Sequence, residues 1–268
     1  MKKLFTFTAI IGIFVLGFYF YFHTIGRIRP TVNEIFIPST DVPGPFNGVR
    51  IVQISDLLVR SENCLDLLEN TVHTINSLDP EIIVFTGNLF LPEGIQFESR
   101  VADLLGQLDA SLTQIAVLGY HDLPHYELTT RVLQDADFRL LNNESHQVFN
   151  QSPIGINVIG AAPTNDRNTM NRLLEAHALD GRFNLLLMSV PTFSTTSLEH
   201  PIHVQFSGHC LAIQDVTHET APCFQFYNGT YQFADSFTLH VSPGLARFYN
   251  VSGLFRQPSI DSFLLIKE

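Results

Sequence analysis

Gly48-Val49-Arg50-Ile51-Val52-Gln53-Ile54-Ser55-Asp56 and Ile82-Ile83-Val84-Phe85-Thr86-Gly87-Asn88 are the two stretches on which the fold turns. Each is a short apolar, β-branched run closed by small or polar residues, so Val49–Ser55 and Ile82–Phe85 read as buried strands. Between them Leu65, Leu68, Val72 and Ile75 recur at helical spacing, with Ser61 as N-cap and Asp79-Pro80 as the stop. Strand, helix, strand at this spacing makes a βαβ unit with a parallel pair.

Outward from this unit the rhythm continues. Helices are expected over Ala102–Leu108 and Tyr126–Ala136. Strands are expected at Ile115–Leu118, Phe138–Leu141, Ile156–Ile159 and Leu185–Met188. Beyond Ser197 the chain reads as mainly β, with strands at His203–Phe206, Phe224–Tyr227, Phe237–Val241 and Phe263–Ile266. An α/β first half followed by a β-rich second half gives two packed sheets flanked by helices. Residues 48–268 are of a size for one domain. Residues 24–47 read as a connector punctuated by Pro30, Pro38, Pro43 and Pro45, in which Ile35-Phe36-Ile37 suits a short edge strand.

The extreme N-terminus, residues 1–23, is of another kind. Leu4 to Phe22 is 19 residues without a charge, preceded by Lys2-Lys3 and ending in the aromatic run Phe18–Phe22. At about 1.5 Å per residue such a helix nearly spans a hydrocarbon core of about 30 Å. No Ala-x-Ala cleavage site follows, so the segment reads as a single-pass membrane anchor rather than a removable signal. Net charge is −11, which argues against nucleic acid as a partner. Three cysteines, Cys64, Cys210 and Cys223, permit one pair and make no disulfide framework.

Asp56, Asn88, Tyr120-His121-Asp122, Ser189 and His209 all stand just after predicted strands. In α/β sheets, sites are built at the carboxyl ends of strands, so these residues are expected to meet in one crevice. Short of that, each has a plain structural reading. Asp56 suits a turn acceptor, Ser189 a turn hydroxyl and Cys210 a buried thiol. His209-Cys210 could join His200, His203, His218 or Cys223 in a zinc site, and such spacings occur in zinc sites and also by chance.

Taken together, the segments resemble the motifs of calcineurin-like metallophosphoesterases, above all a bacterial branch with an N-terminal membrane anchor. Ser55-Asp56-Leu57-Leu58 resembles Ser-Asp-x-His with Leu58 in place of His. Thr86-Gly87-Asn88 resembles Thr-Gly-Asp, and Gly119-Tyr120-His121-Asp122 resembles Gly-Asn-His-Asp. Ser189-Val190-Pro191 resembles Ser-His-x-Pro, and Ser207-Gly208-His209-Cys210-Leu211 resembles a last motif ending in a ligand histidine, lost at Leu211.

The resemblance implies a four-layer α/β/β/α sandwich of two mixed sheets, preceded by one transmembrane helix. It also implies a site for two divalent cations such as manganese, iron or zinc, which polarise a phosphate and generate hydroxide. On that pattern Asp56, Asn88 and His209 are what remains of the metal ligands. His121 and Asp122 match the phosphate-facing histidine and its orienting carboxylate. Leu58, Tyr120, Ser189 and Leu211 are positions where a ligand is lost. The expected function is therefore a membrane-anchored pseudo-phosphoesterase without a metal cofactor, acting by scaffolding or by binding an apolar or phosphate-bearing ligand. The rival is an active phosphoester hydrolase with a single or rearranged metal site drawing on Glu62, His125 or Asp215. Charge flanking the anchor is balanced, Lys2-Lys3 against Arg27 and Arg29, and the resemblance to exported relatives places the domain outside the cytoplasm.

Overall fold

Alternation along the strands decides the layering. In a strand, successive side chains point to opposite faces. Ile51 faces one way with Ile82, Val84 and Ile115, while Val52 and Ile54 face the other way with Ile83 and Phe85. Both sets are buried, so the sheet must be covered on both sides. The computed structural model describes residues 10–17, 29–210, 226–233, 237–246 and 257–268.

In chain order the strands are β1 (Thr31–Ser39), β2 (Arg50–Ile54), β3 (Ile82–Phe85), β4 (Thr113–Ala116), β5 (Arg139–Leu140), β6 (Glu144–Val148), β7 (Ile156–Gly160), β8 (Asn184–Leu187), β9 (Val204–Ser207), β10 (Gly229–Phe233), β11 (Phe237–Val241) and β12 (Ser259–Lys267). One six-stranded sheet has the order β1-β12-β2-β3-β4-β5, and the other β10-β11-β9-β8-β7-β6. Both are mixed. β12 is antiparallel to β2, β6 to β7, and β10 to β11, and the remaining pairs are parallel.

The inner faces meet through Ile51, Ile82, Val84, Val158, Leu185, Phe206 and Phe263. Burying each such side chain contributes about 1.5–3 kcal/mol. The outer face of the first sheet is covered by helices Glu62–Asn76, Glu98–Leu105 and Tyr126–Asp135, through residues such as Leu68, Val101 and Val132. Helix Arg167–His177 covers the second sheet through Met170, Leu173 and Leu174.

Several elements differ from the sequence reading, among them the strands β6 and β10, for which no strand was expected. The connector supplies a full nine-residue edge strand, β1, running parallel to β12 from Thr31↔Ser259 to Ser39↔Lys267. Its partner is more than 200 positions away, beyond any local pattern. At Phe226-Tyr227 there is loop, not strand, because the Phe226 ring packs on Tyr231 and Phe233 of β10 instead of joining a ladder. Helix Arg167–His177 was not anticipated; it starts at Asp166, whose side chain accepts the N–H groups of Asn168 and Thr169, a true N-cap. Among the described residues no helix is long and apolar enough to cross a membrane. The expected anchor, residues 4–22, lies outside the described residues except for the helical stretch 10–17.

Candidate functional site

Five strand ends converge. β2 delivers Ser55 to Leu58, β3 delivers Thr86 to Asn88, and β4 leads into Gly119 to Asp122. β8 delivers Ser189, and β9 delivers Gly208 and His209. The backbone of these turns is in an unusual state. Asp56, Leu58, Asn88 and His209 all have positive φ, of 53°, 43°, 66° and 67°. Such conformations cost free energy outside glycine and are concentrated at functional sites. Leu58 is the most out of place, since left-handed backbone favours Asn, Asp and His over a bulky apolar residue.

The centre of the site is Asn88. Its Nδ2 donates to Asp56 Oδ1 at 2.7 Å and lies 3.3 Å from His209 Nδ1, while its Oδ1 accepts the His121 N–H at 3.1 Å. These partners fix the orientation of the amide. Turned over, its oxygen would face the Asp56 carboxylate and its NH2 would face another donor. Gly119 allows this approach, because a Cβ there would fall 2.1 Å from Asn88 Oδ1. Asp56 is fully buried, and its Oδ2 accepts Ser55 Oγ at 2.6 Å and the His209 N–H at 2.8 Å. Gly208 lies against the Ser55 hydroxyl, with no room for a side chain.

Asp122 does not pair with the His121 ring as the resemblance implied. Its oxygens accept three backbone N–H groups, from Asn88 at 2.7 Å, Leu89 at 2.8 Å and Gly119 at 2.8 Å. It therefore ties the β3 turn to the β4 turn. The His121 ring instead faces the His209 ring, with centroids 5.8 Å apart. Tyr120 gives its hydroxyl proton to Asn165 Oδ1 at 2.6 Å. Asn165 was not foreseen, since it comes from a loop with no motif. Ser189 is buried, and its hydroxyl has no hydrogen-bond partner among the described residues. Leu58 is 3% exposed. Leu211 lies outside the described residues. Of the zinc alternative, Cys210 is disulfide-bonded rather than a buried thiol, His203 sits at the start of β9 against Phe183 and 3.4 Å from Asp41, and His218 and Cys223 lie outside the described residues.

No protein-family model matches the chain. Individual proteins do. The uncharacterized metallophosphoesterase YkuE of Bacillus subtilis is 28% identical over 185 residues, covering 66% of this chain and 63% of that protein. A transmembrane protein with metallophosphoesterase domain from Bos taurus is 25% identical over 238 residues, 82% of this chain and 53% of that one. The chain is similar to metallophosphoesterases over most of its length. A shorter match, 32% over 103 residues, covers 37% of this metallophosphoesterase homologue and 31% of the UDP-2,3-diacylglucosamine pyrophosphatase LpxG of Chlamydia trachomatis. The chain thus spans less than two thirds of the length of each of these relatives.

Metallophosphoesterases of this pattern need carboxylates and neutral imidazoles around two cations. Among the described residues, the donors at the motif positions do not fit such a pair. The bridging position presents an NH2 group, not an oxygen, toward the two remaining ligands, and an N–H donor repels a cation. Leu58 has no donor atom. Among the described residues no group of three or more His, Cys, Asp or Glu side chains is placed to hold a metal ion.

Burial dominates the charge balance of the two carboxylates in the site. Burial pushes the Asp56 carboxyl above its ordinary range, against the opposing pull of the Ser55, His209 and Asn88 hydrogen bonds and the His209 charge. Burial also raises Asp122, the Asp56 charge adds to this, and the three backbone bonds oppose it. A carboxyl raised on folding binds its proton more tightly in the native state. It therefore weakens stability as pH rises from the unfolded value of 3.8 through the higher folded one. Asp261 acts the other way: His240, Ser242 and Asn33 outweigh its burial and hold it low. The clean measurement is thus a difference. The melting temperature of Asp56→Asn minus that of the unsubstituted protein should rise as pH climbs above 3.8. A difference that stays flat across the whole range from about pH 3 upward would show that Asp56 titrates alike in both states.

Proposed function

We propose that this chain is a membrane-tethered metallophosphoesterase homologue in which a closed hydrogen-bond network stands where relatives hold a metal pair. On this reading it binds a ligand at the strand ends without phosphoester turnover. The observation that carries it is the Asn88 amide, which directs its NH2 at both Asp56 and His209. Each surviving ligand atom that would face a cation already has a proton donor in front of it.

The membrane tether rests on Leu4 to Phe22, a charge-free run of 19 residues, and is supported by a relative that is itself named a transmembrane protein. The disulfide at Cys210 supports an extracytoplasmic domain, because reducing cytosol keeps thiols reduced. One relative's name specifies UDP-2,3-diacylglucosamine. A ligand with both apolar and phosphate parts suits a site where Leu58 stands beside polar turns.

The test is elemental analysis of the purified chain after incubation with manganese, iron or zinc, followed by a phosphodiester hydrolysis assay. Less than about a tenth of a metal per chain and no turnover are expected. Two tightly held metals overturn the reading, and one metal with turnover would establish the rival hydrolase.

A further inference from the structure

The point where the chain enters the domain lies at the same end as the candidate site. β12 is antiparallel to β2, with Asp261 opposite Gln53. Thr31, at the start of β1, pairs with Ser259, two residues before Asp261. Thr31 is therefore level with Ser55. The Leu245 N–H donates to the Ser55 carbonyl, the Ser259 N–H to the Gly244 carbonyl, and the Thr31 N–H to the Pro258 carbonyl, so the three segments lie side by side there. With β12 as the one strand between β1 and β2, two strand spacings put the entry point about 10 Å from the end of β2.

We infer that the site-bearing end of the domain faces the membrane and rests on the lipid headgroup layer. This depends on the anchor reading given above. Only eight residues, 23–30, separate the end of the expected anchor from β1. Fully extended they reach about 28 Å, at about 3.5 Å each. To point the opposite end at the bilayer, the connector would have to run back along the whole of β1. Its nine residues span about 26 Å, at about 3.3 Å per step. That consumes essentially the full reach of the connector before the turns beyond β1 are cleared. With the site end down, the same connector has slack.

The surface at that end suits lipid. Leu123 and Tyr126, directly after the His121-Asp122 turn, are 45% and 40% exposed. Amphipathic Tyr and apolar Leu at a rim are the residues that settle into an interface. Arg27 and Arg29 precede β1 with no acidic residue until Glu34, and a basic juxtamembrane segment is drawn to anionic headgroups. Among the described residues Leu198 is a further single exposed apolar side chain, and two other exposed apolar surfaces compete. Phe149 and Ile154 flank the β6–β7 turn at the far end, and Phe36 stands on the outer edge of β1. The connector length selects against the first, and the second is a single side chain.

The full chain carrying Cys64→Ser is placed in phosphatidylcholine–phosphatidylglycerol vesicles. Single cysteines at Leu123, Ile154 or Phe36 are labelled with a polarity-sensitive fluorophore without reduction of Cys210. Quenching by lipid carrying a nitroxide near the headgroup is then read. At least threefold greater quenching from Leu123→Cys than from Ile154→Cys or Phe36→Cys is expected. Stronger quenching from either of the others, or equal weak quenching at all three, overturns the orientation. Flotation of the vesicles separates this from the anchor itself: a chain that fails to float with lipid removes both readings, whereas a floating chain with the wrong pattern removes only this one.

Discussion

Asp122→Ala is expected to lower the melting temperature by on the order of 15 °C. The carboxylate is buried and accepts the N–H groups of Asn88, Leu89 and Gly119. Removing it leaves three buried donors without an acceptor. Each such group costs about 1–3 kcal/mol. The sum is a large part of the roughly 5–15 kcal/mol that holds a domain folded. At about 2–4 °C per kcal/mol for a chain of this size, the shift is well beyond experimental error. Asp122→Asn keeps one acceptor oxygen and sets its NH2 against a backbone donor, so its loss should be intermediate. Thermal melts by circular dichroism decide. A shift under about 4 °C for Asp122→Ala would mean that the β3 and β4 turns are held together by something else.

The same residue shows where sequence reading reaches and where it stops. The strand ends were legible because apolar runs such as Ile51–Ile54 and Ile82–Phe85 stop abruptly at small polar residues, and a βαβ connection must bring those ends together. That Asp56, Asn88, His121 and His209 share one place follows from the pattern alone. Which atom faces which does not. Asp122 beside His121 in sequence suggested a carboxylate that orients an imidazole, yet both lie in the helical turn Tyr120–His125, where adjacent side chains do not share a face, and Asp122 points back into the turns. The direction of the Asn88 amide depends on the His121 N–H on one side and Asp56 on the other, 32 or 33 positions apart. β1 was underestimated for a related reason. Its exposed, polar outer face carries no strand signal, and the ladder that holds it is supplied by the other end of the domain.

Restoring the lost donors is expected to restore metal binding, and the route there should pass through an unstable intermediate. Asn88→Asp alone replaces the NH2 that faces Asp56 Oδ1 at 2.7 Å with a carboxylate oxygen. Two buried carboxylates would then confront each other, with Asp122 close by and no cation between them. An uncompensated buried charge costs about 3–5 kcal/mol. The single substitution should therefore melt well below the unsubstituted chain and recover when manganese is added, because an ion that binds only the folded state stabilises it. Leu58→His removes apolar burial but places at φ 43° a residue that tolerates left-handed backbone better than leucine. Ser189→His puts an imidazole where a buried hydroxyl now lacks a partner. Tyr120→Asn gives up the bond to Asn165, and Leu211→His returns the last donor of the set. Together the five should bind two divalent ions and show weak phosphodiester hydrolysis, with folding that depends on the absence of chelator. Singly they should give no turnover, since ligands of a shared centre are not additive. The turns at Leu58 and Asn88 already adopt positive φ, which His and Asp tolerate better than leucine. A five-site variant that folds with a native dichroism spectrum yet takes up no manganese would show that the turns have moved as well as the side chains, and that substituted ligands alone do not explain the difference from relatives.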